Sequence, residues 1–169
     1  MSIKENKRRI ALWLLSATVL LTVGFIFSNS LKNSAESYSD SDSLTDLFGP
    51  LVRMVFGEKA DVSFWVRKAA HFAEFFILGV LSCSTVAFVG RRLAGYVWFF
   101  VLAVAVIDEF VQKFTGRTSA VSDVIIDFCG AASGCLIVIA LRAVVLRFRK
   151  KRKDSQTGDS VSREKGFAK

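Results

Sequence analysis

The sequence predicts an all-α membrane protein with four transmembrane helices. Of its 169 residues, 52% are hydrophobic, only one is proline, and the mean hydropathy is positive. An ordinary soluble domain of this size needs more polar residues than this to cover its surface. Four separate apolar stretches are long enough to cross a hydrocarbon core, which takes about 20 helical residues. The chain is therefore expected to form a single domain within a membrane.

The predicted transmembrane stretches cover residues 10–27, 69–89, 93–113 and 124–146. A basic segment precedes the first stretch, as it does in a secretory signal peptide. However, the apolar run is long, and no small-residue cleavage site follows in "SNSLKNS". A retained first helix is therefore favoured over a cleaved signal peptide.

Lysine and arginine near the helix ends predict the orientation of the bundle. Both termini and the turn "GRR" between the second and third helices are basic, which is typical of the cytoplasmic side. Residues 28–68 and 113–123 are therefore expected to be outer loops. The expected organisation is a basic cytoplasmic N-terminus at 1–9, a membrane domain at 10–146, and a basic, disordered cytoplasmic tail at 147–169.

The formal charge of +8 is concentrated at the two ends of the chain, for example in the tail sequence "RFRKKRK". On a soluble protein, such clusters would suggest nucleic acid as the partner. Beside an apolar segment, they favour contact with anionic membrane lipid. Membrane lipid, and not nucleic acid, is therefore the expected partner of these ends.

The first outer loop is predicted to contain an amphipathic helix after an irregular, serine-rich stretch. Apolar residues recur at helical spacing from Leu44 to Phe56, and Ser43 is placed to cap the helix N-terminus. Pro50 falls inside the pattern and is expected to kink or restart the helix. This helix either lies on the outer membrane surface or packs onto the bundle as a lid, and the two placements are compatible.

Polar residues are predicted to meet at the outer ends of three helices. Ionisable side chains inside membrane helices usually face the bundle interior or water. In the predicted topology, eight polar side chains lie at one depth, which indicates a shared polar pocket, and Lys68 lies at the outer entry of the second helix beside them. The eight are His71, Glu74, Asp108, Glu109, Gln112, Arg117, Asp123 and Asp127.

The fourth predicted helix carries small residues beneath its acids. Asp123, Asp127, Gly130 and Gly134 fall on one stripe, and such small residues allow close backbone approach to a neighbouring helix. The alternative to a pocket is a purely structural network of ion pairs. A functional pocket is favoured because buried ion pairs are weak devices for stability alone.

Three kinds of chemistry are compatible with these side chains. His71 and Glu74, together with the aspartates, are candidates for general acid/base catalysis. The four acids of helices three and four are candidate ligands of a divalent cation, with Mg²⁺ or Ca²⁺ preferred because the chain has a single histidine. Arg67, Lys68 and Arg117 are candidates for binding an anionic head group.

Two segments, "RKAAHFAEFFILG" (67–79) and "DEFVQKFTGRTSAVSDVIIDFCGAASG" (108–134), resemble the VanZ-like family of bacterial membrane proteins. The resemblance extends over about residues 10–146, and "FSNS" places Ser30 where the family often has glutamine. The segment "FTGR" is one residue shorter than the usual "FVPGR", so Arg117 lies in a contracted loop. The residues that match the family pattern are Lys68, His71, Glu74, Phe75, Asp108, Glu109, Gln112, Phe114, Asp123, Asp127 and Gly130.

The resemblance implies a multi-pass protein of the bacterial cytoplasmic membrane. The founding member of the family is associated with resistance to the glycopeptide antibiotic teicoplanin, so a cell-wall precursor or a glycopeptide-related ligand is the expected partner. An outward-facing pocket suits such a ligand. A transporter is disfavoured, because no broken helix is evident in the sequence.

An enzyme and a binding protein both remain open. An enzyme would be a hydrolase or transferase acting on an anionic, lipid-linked substrate, with His71 and Glu74 as acid and base. Asp108 and Glu109 would then be a base or metal ligands, and Arg117 an anion anchor. A binding protein would instead shield the antibiotic's target.

Overall fold

The structure, a computed structural model, describes residues 3–32, 34–90, 93–115 and 120–167. Within these ranges every regular element is an α-helix, which confirms the predicted all-α class. The orientation of the termini remains a prediction. The five helices are α1 (Ile3–Ser30), α2 (Ser34–Phe56), α3 (Val62–Val89), α4 (Ala94–Phe114) and α5 (Val121–Phe167).

Four of the described helices are long and apolar enough to cross a membrane, as predicted. Large apolar side chains project from them into the surroundings: Trp13 and Phe99 are each 74% exposed, and Leu141 is 61% exposed. Such extensive apolar exposure suits contact with lipid. The candidate spans are Glu5–Ser30, Val62–Val89, Ala94–Phe114 and Val121–Arg152.

The helices extend further into the first connection than the sequence predicted. α1 continues to Ser30, and α2 begins at Ser34 where Ser43 was expected, so the predicted irregular stretch is wrong. At the end of α1, the hydroxyl of Ser28 donates to the Phe25 carbonyl at 2.9 Å, so this polar side chain is accommodated within the helix. α2 also continues through Pro50.

α2 packs against α3, which is one of the two placements predicted for it. The ring of Phe56 stacks on Trp65 with 3.8 Å between the ring centroids. Gly57 ends α2 with a φ of +93°, a conformation that favours glycine. Asp61 then caps α3, because its carboxylate accepts the Phe64 amide at 3.0 Å. The packing against α3 supports α2 despite the proline, since tertiary contacts outweigh local propensity.

α3 and α5 approach each other along glycine residues, as the small-residue stripe predicted. A Cβ atom on Gly130 would overlap the carbonyl oxygen of Phe72, and one on Gly134 would overlap that of Phe76. Larger residues at these positions would force the two backbones apart. The close approach aligns the first turns of α5 with the first half of α3.

One contact fixes which helix ends lie together. The guanidinium of Arg8, near the start of α1, donates to the carbonyl of Phe88, near the end of α3, at 2.5 Å. The opposite end of the bundle therefore contains the ends of α1 and α4 and the beginnings of α3 and α5. We call it the polar end; the charge distribution predicts that it faces outward.

The chain divides into two compact units, Met1–Cys135 and Leu136–Lys169. The second unit contains the C-terminal part of α5, whose backbone is helical as far as Phe167. A disordered tail was expected from residue 147, but lysine and arginine are good helix formers. The polar end belongs entirely to the first unit.

Candidate functional site

Polar side chains from four helices meet at the polar end, and all but one of them are buried. Their side chains are linked by hydrogen bonds or lie within 4 Å of one another. Asp108 and Asp127 are fully buried, and the exposed fractions of Ser30 and Gln112 are 1% and 3%. We call this group the polar cluster; its members are Ser30 of α1, His71 of α3, Asp108 and Gln112 of α4, and Asp127 of α5.

Asp108 is held by hydrogen bonds to both of its carboxylate oxygens. The hydroxyl of Ser30 donates to Oδ1, and the side-chain amide of Gln112 donates to Oδ2 at 2.7 Å. Gln112 follows Asp108 by four residues and therefore lies on the same face of α4. These contacts fix the orientation of the Asp108 carboxylate between α1 and α4.

Asp127 has a different environment. Both of its carboxylate oxygens are buried, and neither has a hydrogen-bond partner among the described residues. His71 Nδ1 lies 3.7 Å from Asp127 Oδ1 and 3.9 Å from Asp108 Oδ2. Both distances are longer than a direct hydrogen bond. The imidazole therefore lies close to two carboxylates that belong to different helices.

These three side chains form a set that is able to hold a metal ion. His71, Asp108 and Asp127 each offer one ligand atom, and the three atoms lie within 4.8 Å of one another. Imidazole nitrogen and carboxylate oxygen are both common metal ligands. The set differs from the predicted one, which consisted of the four acids Asp108, Glu109, Asp123 and Asp127 without the histidine.

Glu109 points to the connection between α4 and α5. Its Oε1 accepts the backbone amide of Ala120 at 2.5 Å, and its side chain is buried. A carboxylate is favourable at this position, because the N-terminus of a helix carries partial positive charge. The observed contact therefore anchors the start of α5, and the predicted catalytic role of Glu109 stays a prediction.

Lys68 and Asp123 form an ion pair between α3 and α5. The ammonium of Lys68 also lies 5.1 Å from the centre of the Phe64 ring. Both charged side chains are partly exposed, at 18% and 15%. Lys68 is therefore already engaged by an acid. Arg117, the predicted anion anchor, lies outside the described residues.

The sequence prediction did not include α1 in the pocket. Asn29 donates to Glu74 Oε1 at 2.8 Å, so Glu74 is bound to α1. Thr115 donates to the backbone carbonyl of Ser30 at 3.2 Å, which joins the ends of α1 and α4. The available signal was the polar "SNS" that directly follows the apolar run of the first helix, at the same predicted depth as the acids.

A cavity of about 380 Å³ lies between α1, α3 and α4, toward the opposite end of the bundle. Apolar side chains dominate its lining, which contains no acid, lysine, arginine or histidine, so the cavity suits hydrocarbon and not acid/base or metal chemistry. The candidate site is therefore the polar cluster. The residues that line the cavity are Ser16, Val19, Leu20, Ser82, Thr85, Val86, Leu93, Tyr96, Val97 and Phe100.

Comparison with known proteins identifies one family. The family model described as VanZ/LLP1 matches residues 13–143, which is most of the chain and includes the whole polar cluster. No curated protein and no solved structure matches the chain.

Proposed function

The chain belongs to the VanZ/LLP1 family, and we propose that its polar cluster binds or acts on a ligand of the bacterial cell envelope. The protein is a multi-pass protein with four apolar helices, and we assign it to the bacterial cytoplasmic membrane. With the predicted orientation, the polar end faces the outer surface, where lipid-linked cell-wall precursors are exposed. This location favours a cell-wall precursor or a glycopeptide-related ligand, and a role in teicoplanin resistance.

The environment of Asp127 is the observation that carries this proposal. A network built only for stability satisfies its buried polar groups, as the hydrogen bonds to Asp108 do. Asp127 is fully buried, yet neither of its oxygens accepts a hydrogen bond from a described residue. A buried carboxylate in this state destabilises the fold. Its presence beside a histidine therefore supports a functional role over a purely structural one.

The cluster also contains a group suited to proton transfer. His71 is 19% exposed and lies within 4 Å of an oxygen of each buried aspartate. Imidazole is the side chain most often used as a general acid or base, so His71 is the member of the cluster best suited to take and return a proton. An enzyme that hydrolyses or transfers a lipid-linked group would use His71 in this way. A binding protein would instead use it as a hydrogen-bond donor.

Anion binding by basic side chains receives less support. Lys68 is already paired with Asp123, and Arg117 lies outside the described residues. The ligand is therefore expected to engage the acids and the histidine first, through hydroxyl or amide groups such as those of sugars and peptides.

Teicoplanin susceptibility tests the proposal. Expression of the protein in a teicoplanin-susceptible bacterium should raise the minimal inhibitory concentration. His71→Gln and Asp127→Asn should return it to the level of the empty-vector host, whereas Asp46→Asn, at an exposed position on α2, should retain full resistance. Membrane levels are matched by immunoblot. Full resistance in both cluster variants contradicts the proposal.

A second experiment separates an enzyme from a binding protein. Purified protein in lipid nanodiscs is incubated with an extract of bacterial envelope lipids, and the lipids are then analysed by mass spectrometry. Conversion of a lipid that requires His71 identifies an enzyme. Saturable retention of a lipid without conversion, lost in Asp127→Asn, identifies a binding protein.

A further inference from the structure

We infer that the polar cluster binds a divalent transition-metal cation, Zn²⁺ or Mn²⁺, through His71, Asp108 and Asp127. The inference rests on the proposed function and specifies the cofactor of the same site. Its structural basis is the convergence of one imidazole and two carboxylates from α3, α4 and α5, with their ligand atoms within 4.8 Å of one another.

The distances between the side chains are close to those that a bound cation imposes. Zinc–nitrogen and zinc–oxygen bonds are about 2.0–2.2 Å long, so tetrahedral ligands lie about 3.4 Å apart. His71 Nδ1 lies 3.7 Å from Asp127 Oδ1 and 3.9 Å from Asp108 Oδ2. Small movements of the side-chain ends are enough to complete the coordination, without displacement of the helices.

The unsatisfied oxygens of Asp127 provide an independent reason for a cation. The Asp127 side chain is fully buried, lies beside His71 Nδ1, and accepts no hydrogen bond from the described residues. A divalent cation gives this carboxylate a direct partner. It also balances the two negative charges of Asp108 and Asp127 in a region where unbalanced charge is unfavourable.

Asp108 is prepared as a ligand by its own hydrogen bonds. Ser30 donates to Oδ1 and Gln112 donates to Oδ2, so the carboxylate is already oriented. Carboxylates that ligate metals in proteins are commonly held by such outer contacts. Asp108 is therefore positioned to offer an oxygen to the same cation as His71.

The mixture of ligands selects the type of metal. Mg²⁺ and Ca²⁺ prefer oxygen ligands alone and a larger number of them, whereas imidazole nitrogen suits transition metals. The participation of His71 therefore replaces the Mg²⁺ or Ca²⁺ expected from the sequence with Zn²⁺ or Mn²⁺. Three protein ligands leave a coordination position for water or for an oxygen of the envelope ligand.

Metal analysis of the full-length protein tests the inference. Protein purified in detergent is stripped with EDTA, reloaded with Zn²⁺ or Mn²⁺, desalted, and analysed by mass spectrometry for bound metal. We expect one cation per chain for the wild type and for Asp46→Asn. We expect His71→Gln and Asp127→Asn to retain less than half as much bound metal per chain. Equal metal content in all four proteins overturns the inference.

Thermal unfolding distinguishes a folded variant that has lost metal binding from a variant that does not fold. Reloading the stripped wild type should raise its Tm by several degrees, because a ligand of the native state stabilises it. Stripped Asp127→Asn should unfold cooperatively at or above the Tm of stripped wild type and should not respond to the cation. A Tm of the wild type that does not respond to either cation overturns the inference.

The two proposals fail in different ways. If the wild type takes up no cation but Asp127→Asn still abolishes resistance, the metal inference fails and the proposed function stands. If Asp127→Asn loses the cation while resistance is unchanged, the metal site stands and the proposed function fails.

Discussion

Asp108 and Asp127 are both fully buried in the polar cluster, but the two sides of the cluster that contain them differ. On the α1–α4 side, Ser30 and Gln112 donate hydrogen bonds to Asp108. On the α3–α5 side, no described residue donates to Asp127, and His71 Nδ1 is 3.7 Å away. Burial alone therefore does not distinguish an acid that stabilises the bundle from one that is available for a ligand.

The packing of the helices explains part of this difference. α3 and α5 are brought together by their backbones at Gly130 and Gly134, so stability on this side comes from close van der Waals contact. The α1–α4 side instead relies on polar side chains at the helix ends. The close α3–α5 contact is thus able to support Asp127 in a position that its own hydrogen bonding does not stabilise.

The largest expected effect comes from breaking the α3–α5 contact. Gly130→Leu introduces a side chain whose Cβ atom overlaps the backbone of Phe72, so the two helices cannot pack as they do. We expect little monodisperse protein in size-exclusion chromatography after detergent extraction. The matched control is Gly24→Leu, because no atom lies within 4 Å of a Cβ at Gly24. Equal yields of the two variants would show that the contact is not essential.

The next largest effect is expected on the α1–α4 side of the cluster, where both oxygens of Asp108 accept hydrogen bonds. Ser30→Ala removes the hydroxyl that donates to Asp108 and leaves a buried carboxylate oxygen without that partner. The free energy of unfolding should fall by about 1–3 kcal/mol. Ser28→Ala is the control, since Ser28 is exposed and its hydroxyl donates to the Phe25 carbonyl within its own helix. Unfolding in mixed detergent micelles measures both, and an unchanged value for Ser30→Ala would contradict the account.

Asp127→Asn, on the other side of the cluster, should not lower the free energy of unfolding as Ser30→Ala does. Replacing the acid by an amide of similar shape removes a buried carboxyl group whose oxygens accept no hydrogen bond from the described residues. In metal-free buffer, the free energy of unfolding should therefore stay level or rise by about 1 kcal/mol. The same unfolding assay measures it. A loss as large as that of Ser30→Ala would mean that both aspartates serve stability.

The smallest effect is expected at the ion pair of Lys68 and Asp123. Because both side chains are partly exposed, a double-mutant cycle of Lys68→Met and Asp123→Asn should give a coupling energy of about 1 kcal/mol or less. Lys113→Met, at an exposed position, replaces Lys68→Met in the matched reference cycle. A much larger coupling energy would make this pair part of the essential structure of the site.

The sequence predicted the membrane helices because their length and apolar composition follow directly from the thickness of a bilayer. It also predicted the close approach at Gly130 and Gly134, since small residues at helical spacing have a direct packing consequence. Each of these features can be predicted from the sequence of a single helix. Predicting the contacts within the polar cluster requires, in addition, the relative rotation of several helices.

Neighbouring acids show why the partners were not predictable. Asp108 and Glu109 are about 100° apart around α4, and they turn to Ser30 and to Ala120, respectively. Which of the two acids faces α1 depends on the rotation of α4 about its axis, and the sequence alone does not give that rotation. The hydrogen bond from Asn29 to Glu74 was also not predictable. The first helix is apolar around its whole circumference, so its sequence does not indicate which side of its last turn faces the other helices.

The most direct test of the central claim is the teicoplanin resistance given by Asp127→Asn at equal amounts of folded membrane protein. We expect resistance to fall to the level of the empty-vector host although the variant is as stable as the wild type in metal-free buffer. Full resistance from the folded variant would contradict a functional role of Asp127 and would assign the polar cluster to structure alone.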